Sequence, residues 1–115
     1  MILQLPNAER ALIDPAKLRD YLLSFEQPVG RAKARFFGTL GFSREEWPSL
    51  ERALRAHDWS GEVTPMPPTK YGQKYEVRAI LQGLSGRDVP VETVWIVLTG
   101  EEIPRLVTGC PGDTL

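Results

Sequence analysis

Through the first half of the chain apolar residues return every three or four positions, and beyond residue 71 they return every second one. The first spacing lines one face of a helix and the second one face of a strand. In "PAKLRDYLLS", Leu18, Tyr21 and Leu22, with Phe25 just beyond, make such a helical face. Asp14 before Pro15 is an N-cap with proline at the first helical position, and Pro28 stops the run. A second helix is predicted over Gly30 to Leu40, closed by Gly41 in the left-handed conformation. For the third, Ser43 and Glu46 have capping-box spacing, and Phe42 can pack on Trp47 as a hydrophobic staple. Trp47, Leu50, Leu54 and His57 then share a face. Pro48 lacks an amide, so either the first turn is irregular or the regular helix begins at Pro48.

"SGEVTPMPPTK", residues 60–70, reads as a proline-rich loop. In "KYEVRAILQ", Tyr75, Val77, Ala79 and Leu81 point one way, and Lys74, Glu76, Arg78 and Ile80 the other. "GLSGRD" is a turn, and "VPVETVWIVLTG" is apolar on both faces, as a central strand is. "GEEIP" turns the chain again and "RLVTGC" returns as a third strand. Arg105 and Thr108 fall on its opposite faces if it is regular, and a bulge at Gly109 would alter its lower end. "RALID" allows a short edge strand. The expectation is an α+β fold: about three N-terminal helices on one face of a C-terminal antiparallel meander of three to four strands. One domain is expected across 1–115, with a helical half over about 14–58 and a sheet half over about 71–111.

The stretch "VGRAKARFFGTLGF" carries Arg31, Lys33 and Arg35 at alternate positions without an acid. With Lys33 at zero on a helical wheel, Phe37 falls at about +40°, Leu40 at about −20° and Phe36 at about −60°. Val29 falls at about −40°. Lys33 thus lies within the apolar arc, while Arg31 and Arg35, at about 160° and 200°, lie on the opposite, solvated face. Side chains lean toward the helix N-terminus, so the Lys33 ammonium runs past Val29 and Gly30 to the helix end. At the mouth of a helix–sheet groove it becomes a cation with apolar walls, fit to hold an anion or to give up its proton. The plainer reading is a lysine that covers apolar surface with its stem or neutralises a carboxylate.

Composition narrows the classes. Apolar content of 42% and charged content of 25% are those of a soluble globular protein, and no apolar run approaches the roughly 20 residues that cross a bilayer. "MILQLPNAER" does not read as a signal peptide, and the single Cys110 excludes an internal disulfide, so the cytoplasm is the default. Net charge is −1, so any anion site must be local. Residues 29–38 hold three cations and no acid, while residues 41–62 set three arginines against five acids.

Other candidates are few. His57, the single histidine, reads as a helix-capping or core residue more readily than a catalytic one, and a Cys/His metal site is excluded. Cys110 reads as a small core residue. No phosphate loop, dinucleotide fingerprint, zinc-protease motif or nucleophile elbow occurs, and no cofactor is implied. "YGQKY" places Tyr71, Lys74 and Tyr75 beside the groove.

"LPNAERALIDPAKLRDYLL", "PVGRAKARFFGTLGF", "YGQKYEVRAILQGLSGR", "VETVWIV" and "PRLVTG" together resemble an uncharacterised bacterial domain family, a domain of unknown function. More distantly the chain resembles the ribonuclease toxins that include barnase, RelE-type and colicin-type tRNA-cleaving domains. In that fold helices precede an antiparallel sheet, a basic residue at a helix mouth faces polar strand residues, and the last strand often ends in a Thr-Ala-Tyr-Pro-like run. Here "LVTGCP" keeps Thr108 and Pro111 but has Gly109 and Cys110 between them, and Ala32 stands where a histidine commonly precedes the helix lysine. The resemblance implies metal-independent RNA cleavage: a base for the ribose 2′-hydroxyl, a cation for the phosphorane, and an acid for the leaving oxygen. Lys33 is then base or electrostatic clamp, Tyr75 and Thr108 hydrogen-bond ribose or phosphate, and Lys74, Arg105, Arg31 and Arg35 contact phosphate. The implied partners are RNA and a neutralising antitoxin-like protein, with no membrane. The rival reading keeps the fold as a non-catalytic domain that binds a protein or an anion.

Overall fold

The computed structural model describes residues 5–23, 28–60 and 62–112, and of residues 28–30 and 57–60 the backbone alone. Phe25, Val29 and Gly30, and the His57 imidazole, therefore lie outside the described residues and side chains. After a 3-10 turn at Ala8–Arg10, helix α1 (Pro15–Lys17) runs directly into a π-helical turn, Leu18–Leu22. Asp14 caps it as expected, its carboxylate accepting the Ala16 N–H at 3.0 Å. Helix α2 (Pro28–Thr39) starts two residues before the expected Gly30. The preceding helical run ends at Leu22 rather than at Pro28, and Pro28 opens α2, where its fixed φ suits a first helical position.

Gly41, at φ 93°, ends α2. The Phe42 N–H bonds the Phe37 carbonyl at 3.2 Å and the Gly41 N–H bonds that of Gly38 at 3.0 Å, the two bonds of a Schellman motif. Phe37 and Phe42 are both buried, supplying its apolar contact. Helix α3 (Trp47–Ser60) begins after an irregular turn in which the Glu46 N–H bonds the Ser43 backbone carbonyl at 3.1 Å. The Ser49 N–H bonds the Glu46 carbonyl at 3.0 Å, so Pro48 occupies a first-turn position whose missing amide costs nothing.

The sheet has four strands in the order β1-β2-β3-β4, all neighbours antiparallel. They are β1 (Glu62–Pro65), β2 (Gly72–Gln82), β3 (Asp88–Leu98) and β4 (Arg105–Pro111). β1 corrects the expected loop over 60–70, since its Val63 is buried opposite Val77. "RALID" does not extend into a strand; it contributes one parallel bridge, Leu12 to Arg105, beside the start of β4. One face of the sheet, with Val77, Ala79, Leu81, Val91 and Trp95, meets α2, α3 and the π turn in a core that includes Leu18, Leu22, Phe37, Leu50 and Leu54. Fully buried Trp95 donates its indole N–H to the Thr93 hydroxyl at 2.8 Å, which satisfies both polar groups. The α+β expectation, helices gathered on one face, describes this arrangement.

Candidate functional site

The π turn decides where Tyr21 goes. The Leu23 N–H bonds the Leu18 carbonyl, five residues back, at 2.9 Å. Leu18 and Leu22 thereby face the core, and Tyr21 is left half-buried at its rim. Two lysines approach its ring: Lys17 Nζ lies 5.6 Å and Lys33 Nζ 5.9 Å from the centroid. Both distances fall within cation–π range. The Thr108 hydroxyl donates toward Tyr21 Oη at 3.5 Å, long for an O–H···O bond, so neither hydroxyl is tightly committed. Among the described residues no carboxylate pairs with either ammonium within 4.0 Å. Asp20, the acid nearest in sequence, is held by Arg19 (3.4 Å) and Arg44 (3.1 Å), which keep its carboxyl below the usual carboxylate range.

Lys33 is half-buried on α2, while Arg31 and Arg35 are exposed, so the wheel separates the three cations as they stand. They do not form one patch.

A bulge sets the other half of the site. Leu106 pairs with Trp95 and Thr108 with Val94, so Val107 is the extra residue, rather than Gly109. Arg105 pairs with Ile96. Ile96 and Val94 share a face, so Arg105 and Thr108 also share one, against the expectation for a regular strand. Opposite them on β2 are Lys74 (paired with Ile96) and Glu76 (paired with Val94). Two rows therefore cross the face turned away from the helices, Lys74–Ile96–Arg105 and Glu76–Val94–Thr108. The Arg105 guanidinium is engaged by Glu101 at 3.1 and 3.3 Å.

Tyr75 does not join this group. It pairs with Trp95 on the helix-facing side and packs against the core, two strands from β4 and so about 10 Å across the sheet. Lys33 and Thr108 each approach Tyr21, Lys33 from the helix side and Thr108 at the β4 edge, from the face it shares with Lys74 and Arg105.

Tyr21 and Lys17 escaped the sequence reading, where Tyr21 counted only as a helix-face residue. So did a third group on the open face. Arg78 donates to Glu92 Oε1 through Nε at 2.9 Å and also through Nη2. The Glu92 carboxyl lies below its usual range, chiefly because of Arg78 and then through a hydrogen bond with Glu76, with burial opposing both. Its sequence signal was present: Glu76 and Arg78 alternate on one face of β2, though their partner on β3 follows from register alone. Among the described residues no group of three or more His, Cys, Asp or Glu side chains is placed to hold a metal ion. No described helix is long and apolar enough to cross a membrane.

Residues 4–113 match the model of a family described as a domain of unknown function, DUF6883. No curated protein matches the sequence. A solved structure, described as a contact-dependent growth inhibition toxin–immunity protein complex from Klebsiella pneumoniae 342, contains a chain of similar fold. The TM-score is 0.70 at 16% identity, over 93% of this chain and 97% of that one. At that identity the likeness is one of fold.

Proposed function

We propose that this chain, which belongs to the DUF6883 domain family, is an RNA-directed toxin domain that cleaves its substrate at the Lys33–Tyr21–Thr108 cluster. One observation carries the reading: two ammoniums and two loosely held hydroxyls converge on an aromatic ring, with no carboxylate pairing the ammoniums among the described residues. Phosphodiester, ribose and base ask for those three kinds of group: cations for phosphate, hydroxyls for the sugar and an aromatic face for stacking. The toxin–immunity complex that shares the fold supports a toxin setting.

In the reaction proposed, the ribose 2′-oxygen attacks phosphorus, the bond to the 5′-oxygen breaks, and a 2′,3′-cyclic phosphate and a 5′-hydroxyl result. The 2′-hydroxyl proton passes to a base and the leaving oxygen takes one from an acid. Lys33, assisted by Lys17, stabilises the phosphorane charge, and Tyr21 and Thr108 hold ribose or phosphate oxygens. Lys74 guides the flanking strand across the open face.

Total tRNA incubated with the purified protein tests this. Wild type should release fragments ending in cyclic phosphate, and Lys33→Ala should slow release by about two to three orders of magnitude. Folded wild type that leaves tRNA intact removes the proposal. A second reading, a non-catalytic anion- or protein-binding domain, draws on one fact: among the described side chains no carboxylate joins the Tyr21 cluster. Salt-dependent RNA binding without cleavage would favour it.

A further inference from the structure

On the opposite edge of the sheet, β1 pairs only with Tyr75–Arg78 of β2, leaving the last residues of β2 beyond its reach. The direction of their backbone groups follows from the ladder. The Met66 N–H bonds the Lys74 carbonyl at 2.9 Å, so even-numbered residues of β2 turn their backbone groups toward β1. The Thr99 N–H to Tyr71 carbonyl and Gly83 N–H to Arg87 carbonyl bonds, at 3.0 and 2.9 Å, turn the odd-numbered ones toward β3. The N–H and C=O groups of Ile80 and Gln82 therefore point outward past the start of β1. Among the described residues no backbone group meets them.

This open edge borders a groove of about 470 Å³ between β2 and α3. Its α3 wall is made of Ser49, Arg52, Ala53 and Ala56, and Ile80 and Leu84, 46% and 59% exposed, stand on the other side. Arg52 supplies the single formal charge of the described lining, and among the described residues its guanidinium bonds only the Ser49 hydroxyl, at 3.2 Å.

We propose that this groove receives an extended, acidic segment of a partner protein, which continues the sheet as an added strand beside Ile80 and Gln82. Outward N–H and C=O groups on alternate residues are complementary to an extended peptide backbone and to little else. The small side chains of α3 leave room for one face of the added strand, while Ile80 and Leu84 offer apolar contact to the other. Arg52 selects a carboxylate. The site lies two strands from β4, so it stands independently of the chemistry proposed at Lys33.

The test is titration of isotope-labelled protein with an acetylated heptapeptide, Thr-Val-Glu-Val-Glu-Val-Thr, followed by amide NMR. Amide shifts confined to Ile80, Gln82, Leu84 and the facing turn of α3 are expected, with saturation below millimolar peptide. Gln82→Pro removes one outward donor while sparing the β3 ladder, and should weaken binding about tenfold. Arg52→Glu, at an exposed helix position, should weaken it similarly and favour a peptide with lysine in place of glutamate. No shift at Ile80 and Gln82 up to millimolar peptide overturns the proposal. So does affinity indifferent to both substitutions, or a wild-type protein that dimerises through this edge and excludes the peptide.

Discussion

Tyr21 illustrates how one side chain joins parts of the chain that sequence keeps apart. Its hydroxyl meets a residue 87 positions away, and its ring lies beside lysines from two helices. Tyr21→Phe keeps the ring and removes a hydroxyl whose one hydrogen bond among the described residues is a long one. Stability in urea should therefore change by no more than about 0.5 kcal/mol, while tRNA cleavage should fall. An equal loss of both would make the tyrosine a packing residue. Glu92 allows a second prediction at this scale, and its sign follows from linkage. The folded carboxyl sits below its ordinary value of 4.5, so its interaction with Arg78 stabilises the fold above that pH and fades as pH drops through the lowered value. Acid titration of stability should show this loss in wild type, and Glu92→Gln should flatten the curve below pH 4.5. Lys33 was legible from the sequence because a helical wheel is local geometry. Tyr21 and Glu92 were not, because their partners come from tertiary approach and strand register.

Among the elements, α2 is the best specified, and its end shows why. Gly41 combines a left-handed φ of 93° with close quarters: an added Cβ would lie 3.0 Å from both the Leu84 Cβ and the Ser85 nitrogen. The Ser85 N–H also bonds the Leu40 carbonyl at 3.0 Å, tying the β2–β3 turn to the helix terminus. Gly41→Ala should cost about 1–2 kcal/mol for the backbone conformation alone, and more if the turn must shift, read as a lower urea midpoint at unchanged slope. The glycine and the apolar spacing announced this helix end in advance. β1 was hidden for the opposite reason: four residues, one of them proline, with Val63 as the single buried side chain, carry too little alternation to outweigh the prolines that follow. The bulge at Val107 was hidden too. Nothing in "RLVTGC" marks it, since a bulge is a relation between two strands, yet it turns Arg105 and Thr108 to the same face.

At the scale of the molecule, a net charge of −1 must be reconciled with a polyanionic substrate. The reconciliation lies in which cations are already engaged. Arg19 and Arg44 serve Asp20, Arg55 serves Glu51, Arg78 serves Glu92, and Arg105 serves Glu101. No carboxylate ion pair is found among the described residues for Lys17 and Lys33, which flank Tyr21 beside β4, or for Lys74, two strands away on the open face of β2. Neutralising about three phosphates of single-stranded RNA sets a slope near −2 for log affinity against log salt, since each contributes about −0.7. A slope near −6 would require about eight or nine phosphate contacts, far more than these three lysines supply, and a slope near zero would leave phosphate out of the contact. Lys33→Ala and Lys74→Ala should each reduce the slope by about 0.7, whereas Arg55→Ala, whose partners are Glu51 and the Ala11 carbonyl, should leave it unchanged. Filter binding of a tRNA anticodon stem-loop between low and physiological salt reads all four slopes. A weakly acidic protein can hold RNA through a few lysines that no described carboxylate neutralises, and Lys17 and Lys33 beside Tyr21 are where the salt dependence should be lost first.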